Sequence, residues 1–401
     1  MKRKAMISRT GAAFMAASMC MSMGMPVMAA GANYVGTIGG TKTTTFDKYL
    51  VMNQDTEVPN VVFAYAITAG TAKTYDVEGK KFEILAGVDP ELVVMNGVGT
   101  AEAHQIAFSH EDDTLQDENE YVKNYDSVTE KYAKKTATLD FSGCRFTEPG
   151  VYRYIITESG TNQGVTNDAD PTRVVDVYVV DESTDTEKKL SISGYVLHAN
   201  EDELSTTDRY GTNGADPATK SQGFTNEYAT TDLTVRGEVT GNQASRDKYF
   251  EFTVNLTDAT PGTVYSVDIT KADAVTGSNA ATLDEYEGKA NPTTLTVGAD
   301  GTATEKFYLQ HGQEIKICGL AENTKYEVTE NSEDYKPSPA SVEGYTAPVT
   351  GTIANDSVKT SYKNARDGIV PTGVVMTVAP FAAVTLLGGI GTVTMVMKKK
   401  K

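Results

Sequence analysis

The strongest constraint on the fold of this chain is a period of two. Residues 61–67, 136–141, 151–158, 173–180, 190–197, 250–256 and 326–330 alternate apolar and polar side chains, rich in Thr, Val and Tyr, and turn residues bound each run. Successive side chains of an extended strand point to opposite faces, so each run reads as a half-buried strand. No long stretch between the two ends of the chain carries the three-to-four-residue spacing of an amphipathic helix. Many short strands separated by turns bury their apolar faces by stacking sheet on sheet, so the expected class is all-β, built from β-sandwiches.

A chain of 401 residues has room for two such units. The same ingredients recur in the same order on either side of a break at 229–231. Before it come Phe46-Asp47-Lys48-Tyr49-Leu50, residues 152–158 and Phe224-Thr225-Asn226-Glu227-Tyr228; after it come residues 233–237, 326–330 and Tyr362-Lys363-Asn364. We therefore expect two tandem sandwiches, over 31–228 and 229–366, as copies of one module.

The ends carry different signals. Lys2, Arg3, Lys4 and Arg9 precede an apolar stretch over 11–28 and small residues at 29–31, the order of a secretory signal peptide occupying residues 1–30. Near the other end, within residues 367–401, Pro371-Thr372-Gly373 stands before an apolar run over 374–397 and four lysines. Such a run can cross a hydrocarbon core of about 30 Å as a helix, and the lysines hold the terminus in the cytoplasm. The segment resembles the LPXTG-type cell-wall sorting signal, with Val370 in place of Leu and the spacer residue missing. That resemblance implies a sortase that attacks the Thr372 carbonyl and passes the acyl group to an amine.

Charge and cysteines narrow the function. The formal charge is −18, and loss of the eight basic residues in the two terminal signals takes the mature part to near −26, which excludes ordinary nucleic-acid binding. Cys144 and Cys318 lie far apart, so no disulfide framework is expected. His104, His110, His198 and His311 show no metal or catalytic spacing, and the acidic stretch 111–120 lacks the ligand order and turn glycine of a calcium loop, so it reads as a solvated loop. No metal and no cofactor are expected, and no phosphate loop or nucleophile elbow points to a turnover enzyme.

One constellation carries chemistry. Phe46, Lys48 and Leu50 share a face, as do Tyr152, Tyr154, Ile156 and Glu158, and Phe224, Asn226 and Tyr228. An amine, a carboxyl and an amide are thereby aimed at an apolar interior. Lys and Glu are rarely buried unless paired, and one reading is a buried ion pair beside a hydrogen-bonded Asn. The other is a self-made amide. Burial strips hydration from both charged forms and favours a neutral amine and a neutral carboxyl. Lys48 then attacks the carboxamide of Asn226 while a protonated Glu158 polarises the carbonyl and shuttles protons. The reaction happens once per molecule and is maturation, not turnover.

With Glu148-Pro149-Gly150-Val151-Tyr152, Thr157-Glu158 and Phe224-Thr225-Asn226, the chain resembles the sortase-assembled major pilins of streptococcal type, whose immunoglobulin-like domains carry isopeptide linkages. The resemblance implies Lys48 as bonding lysine, Glu158 as catalyst and Asn226 as acceptor. In the second unit Glu330 and Asn364 stand at the catalyst and acceptor positions, but Gly237 stands where the family has lysine, so no bond is expected there unless a residue such as Lys248 turns inward. Similar pilins carry their linking lysine where Lys220 stands here, with Lys42 the second candidate. The resemblance implies a secreted, wall-anchored fimbrial shaft subunit whose partners are sortase, identical subunits, peptidoglycan, accessory pilins and host surface ligands. The alternative is a wall-anchored adhesin or accessory subunit acting singly.

Overall fold

The computed structural model describes residues 38–77, 80–99, 104–199, 223–271 and 290–368. The signal-peptide segment, Lys220 and Pro371-Thr372-Gly373 lie outside the described residues. Among these residues the regular structure is strand, with one short 3-10 turn at Pro90–Leu92. No helix among them is long and apolar enough to cross a membrane.

The first sandwich stacks an eight-stranded sheet on a six-stranded one. The larger sheet centres on Gly150–Ser159, which pairs antiparallel with both Val61–Ala69 and Thr172–Asp181. In the smaller sheet the opening strand Thr43–Asn53 lies between Glu130–Asp140, antiparallel, and the closing strand Gly223–Tyr228, parallel. The two ends of the module are thus laid side by side, with Lys48 opposite Phe224 and Asn226 opposite Leu50. Phe46, Leu50, Phe63, Tyr65, Tyr154, Ile156, Val175, Val177 and Phe224 fill the space between the sheets.

The second sandwich repeats the plan with fewer strands, six against four. Its opening strand Thr230–Thr240 is parallel to its closing strand Val358–Ala365, with Gly237 opposite Tyr362 and Val239 opposite Asn364. Leu233, Val235, Val239, Phe252, Val254, Phe307, Ile315 and Ile317 form its core.

A single residue, Ala229, separates the last strand of the first sandwich from the first strand of the second. The joint is stitched from both sides. The Lys316 ammonium lies 2.5 Å from Asp55 and 3.0 Å from Asp232. Tyr228 donates its hydroxyl hydrogen to the Gly319 carbonyl at 3.3 Å, and Ala321 of the second sandwich packs into the first core.

Several side chains depart from the alternation: on the face away from the core Asp47, Tyr49 and Val51 of the opening strand are buried, with Tyr49 and Val51 packed on Val122 and Tyr132, and so are Val174 and Asp176. Arg153, on the face away from the core, is buried, with its guanidinium on the Asp176 carboxylate at 2.8 and 2.9 Å. Gly70 lies against the Arg153 side chain with no room for a Cβ, and His198 joins Asp176 at 3.2 Å, so the pair is closed in on the outer face.

Candidate functional site

Lys48, Glu158 and Asn226 meet inside the first sandwich. Lys48 is 0 % exposed, Asn226 1 % and Glu158 6 %. The opening strand supplies the amine, the closing strand the amide, and the facing sheet the carboxyl, so three elements distant in sequence converge through the stacking of two sheets.

The carboxyl sits between the other two groups. Lys48 Nζ lies 2.7 Å from Glu158 Oε2, close but without the directionality of a hydrogen bond. Asn226 Nδ2 donates to Glu158 Oε1 at 2.7 Å. Tyr65, paired with Glu158 across the strands, donates its hydroxyl to Oε2, also at 2.7 Å. Glu158 is therefore surrounded by donors. The amine is roofed by aromatic rings: Nζ lies 4.1 Å from the Phe63 ring centroid, and Phe46, Tyr65 and Phe224 pack edge-on around the site. Burial lowers the Lys48 pKa to about 8, against the pull of Glu158 in the other direction. Burial, reinforced by Glu158, holds the Tyr65 phenol well above its ordinary range, so it remains a donor.

The amide has a fixed orientation. Both neighbours of Nδ2 are acceptors, Glu158 Oε1 and Asn167 Oδ1 at 3.2 Å, while Oδ1 accepts the backbone N–H of Asp168 at 3.0 Å. The nitrogen, not the oxygen, faces Glu158. Where the sequence points to Glu158 at the carbonyl, the structure places its carboxyl between the amine and the amide nitrogen, within reach of a proton on either. The loop carrying Asp168 is itself anchored. Arg173 donates from Nη2 to Asp168 at 2.5 Å and from Nε to the Gly223 carbonyl at 2.7 Å, and the Thr225 N–H reaches Asp168 Oδ2 at 3.0 Å. Burial opposes ionisation of Asp168, but the Thr225 N–H and Arg173 together keep its carboxyl below the usual range.

Tyr65, Asp168 and Arg173 were not read from the sequence as part of the site. Arg173 was available to alternation, since it shares a face with the buried Val175, Val177 and Val179. Asp168 acts from a loop, where no periodicity exists to reveal it.

The second sandwich holds part of this arrangement. Asn364 Nδ2 donates to Glu330 Oε1 at 2.6 Å. Glu330 Oε2 and Asn364 Oδ1 are buried without hydrogen-bond partners among the described residues. Two substitutions account for Glu330 Oε2: Phe252 stands opposite Glu330 where Tyr65 stands opposite Glu158, and Gly237 stands in the place of Lys48. Burial raises the Glu330 pKa to about 7, with the Asn364 bond opposing. Lys248 does not turn inward; it pairs with Glu333 and lies against the Tyr335 ring. Arg236 points to the outer face and bonds Glu314 at 3.0 Å.

The remaining candidates are placed simply. Lys42 is half-buried just before the opening strand, the acidic stretch 111–120 is mostly exposed, and Cys144 and Cys318 are free and buried in separate sandwiches.

Comparison with known proteins bears on the whole chain. Residues 94–229 match the family described as Spy0128-like isopeptide containing domain, and residues 231–366 match a domain of unknown function. A protein named pilin from Streptococcus pyogenes serotype M1 is 25% identical over 377 residues, covering 90% of this chain and 92% of the relative. Among solved structures, the major pilin of Streptococcus pyogenes aligns over 82% of this chain and 100% of its own, at 20% identity and a TM-score of 0.46. The T3.2 major pilin of the same species aligns over the same shares, at 20% identity and a TM-score of 0.44.

Proposed function

We propose, from the premise that this chain carries a Spy0128-like isopeptide containing domain and is a relative of the streptococcal pilins, that it is the shaft subunit of a covalently joined cell-surface fibre. A sortase cleaves after Thr372 and transfers its acyl group to an amine of the next subunit, Lys220. The last subunit passes to peptidoglycan, so the fibre stands on the wall. The chain turns over no substrate. Its one reaction is the joining of Lys48 to Asn226.

The observation that carries this reading is the Glu158 carboxyl, buried and 2.7 Å from both the lysine nitrogen and the amide nitrogen. An ion pair alone gains little from burial, because desolvating both charges offsets their attraction; a carboxyl touching donor and leaving nitrogen together is what amide exchange requires. Glu158 takes a proton from the Lys48 ammonium. The freed amine adds to Cγ of Asn226, Glu158 delivers its proton to Nδ2, and the Cγ–Nδ2 bond breaks as ammonia leaves. The new amide nitrogen returns one proton to Glu158. The testing measurement is the intact mass of the recombinant region between the terminal signals. A mass short by one ammonia, absent from Lys48→Ala and from Glu158→Ala, is expected; an unreduced wild-type mass removes the bond from the account.

A further inference from the structure

The carboxamide of Asn226 is held at both ends, and the end away from Glu158 has no role in the exchange as written above. When an amine adds to Cγ, negative charge develops on Oδ1. In a dry interior that charge is costly unless a donor already points at it, and a preorganised backbone N–H supplies such a donor without reorganising during the reaction. Oδ1 has one: the N–H of Asp168 at 3.0 Å.

Resting on the Lys48–Asn226 bond as proposed, we infer that the Asp168 backbone N–H is the oxyanion donor of the cross-linking reaction, and that the loop 167–171 is built to present it. The loop is fastened at each side of that N–H. Asn167 Oδ1 accepts from the leaving nitrogen at 3.2 Å, the Asp168 carboxylate is clamped by Arg173 and the Thr225 N–H, and the Glu158 N–H donates to the Pro171 carbonyl at 2.7 Å. Arg173 is fully buried and lies 4.6 Å from the Phe224 ring centroid, one residue from the strand position that carries Thr225. It is a positioning residue: it holds Asp168 and the Gly223 carbonyl and acts on the amide through Asp168. The work is thus divided, with Glu158 handling protons on the nitrogen side and Asp168 receiving charge on the oxygen side.

The second sandwich is an internal contrast. Asn364 keeps its bond to Glu330, but its Oδ1 is buried with no donor among the described residues. Among the described residues, the asparagine that lacks an amine also lacks an oxyanion donor.

The test compares Asp168→Pro, which removes the N–H and the carboxylate, with Asp168→Ala, which removes the carboxylate alone. Each is refolded from denaturant and the loss of ammonia is followed by intact mass, with circular dichroism to establish folding. We expect Asp168→Ala, which keeps the N–H but frees the loop from Arg173 and Thr225, to cross-link more slowly than the wild type. Asp168→Pro is expected to be slower than Asp168→Ala by about a hundredfold or more, the usual effect of deleting one oxyanion donor. Should the proline variant fail to fold, the α-hydroxy analogue of aspartate at position 168, which replaces only the N–H by oxygen, is compared with the wild type in the same way. A folded N–H-deleted protein that cross-links within tenfold of its N–H-bearing counterpart overturns the donor and leaves the bond standing. A wild-type protein that never loses ammonia overturns the bond, and the donor with it.

Discussion

Gly237 and Lys48 occupy the same register position in the two sandwiches. Each lies on the opening strand, opposite the residue two places before the acceptor asparagine of the parallel closing strand: Lys48 opposite Phe224, Gly237 opposite Tyr362. The second module has an asparagine and a carboxyl at the equivalent positions, Asn364 and Glu330, and a glycine where the first has its amine.

Restoring the amine alone will not restore fast chemistry. A Cβ at Gly237 meets Phe252 at 3.3 Å and Leu309 at 3.4 Å, contacts that need only a small give, so Gly237→Lys is expected to fold. Because Asn364 Oδ1 has no donor among the described residues, the variant should lose its first ammonia as the wild type does and its second about a hundredfold more slowly. Time-resolved intact mass checks this. Two losses at equal rates would show that the lysine was the whole deficit.

The cross-link should be worth several kcal/mol to the first sandwich. Tying Lys48 to Asn226 closes most of that domain into one loop, and in loop-closure terms this removes about 5 kcal/mol of unfolded-state entropy. Asn226→Ala is the cleaner probe, since it leaves the Lys48–Glu158 pair in place, whereas Glu158→Ala strands a buried ammonium as well. Denaturant unfolding should show a lower midpoint for Asn226→Ala and a lower one still for Glu158→Ala.

Glu330 makes the second sandwich sensitive to pH. Its carboxyl is raised from 4.5 to about 7 in the folded state by burial. Between those values the folded chain holds a proton that the unfolded chain has released, so stability falls as pH rises through this window and levels off above it. Thermal unfolding of the second transition from pH 4 to pH 8 should show the decline, and Glu330→Gln should flatten it. A midpoint of that transition that climbs over the same interval would contradict the assignment.

Lys48 sets an upper pH limit on the reaction. Its proton passes through Glu158 to the leaving nitrogen, and burial lowers its pKa to about 8, so above that value the pair has surrendered to solvent the proton that ammonia must carry away. In a protein slowed by Asp168→Ala, the rate of ammonia loss should be level near pH 6 and fall as pH rises through about 8. A rate that climbs through that interval would show that the leaving nitrogen takes its proton from elsewhere.

Much of this was legible in the residues because a sandwich core enforces alternation. Phe46, Lys48 and Leu50 could be assigned to one face because side chains two apart on a strand point the same way. The same logic failed where the outer face is buried too: at Arg153, which pairs with the buried Asp176 and lies against Gly70, and on the opening strand, where Tyr49 and Val51 pack on Val122 and Tyr132. Alternation also predicts faces, not partners. It placed Glu158 inward but could not orient the Asn226 carboxamide, which is decided by the Asp168 N–H from a loop with no periodic pattern.

Polymerisation offers a check independent of the core. If Lys220 receives Thr372 of the neighbouring subunit, cells expressing Lys220→Ala should lose the high-molecular-weight ladder on denaturing gels while retaining monomer at the surface. An unchanged ladder would shift attention to Lys42.

The parallel pairing of first and last strands has a mechanical corollary. In the second sandwich, Leu233–Thr240 runs beside Val358–Ala365 in eight consecutive registered positions. A pull that enters at the start of one strand and leaves at the end of the other slides the two past each other, loading every rung of the ladder together instead of peeling them off in turn. The module without the amide would therefore still resist tension as a lap joint does, by sharing force across its whole overlap.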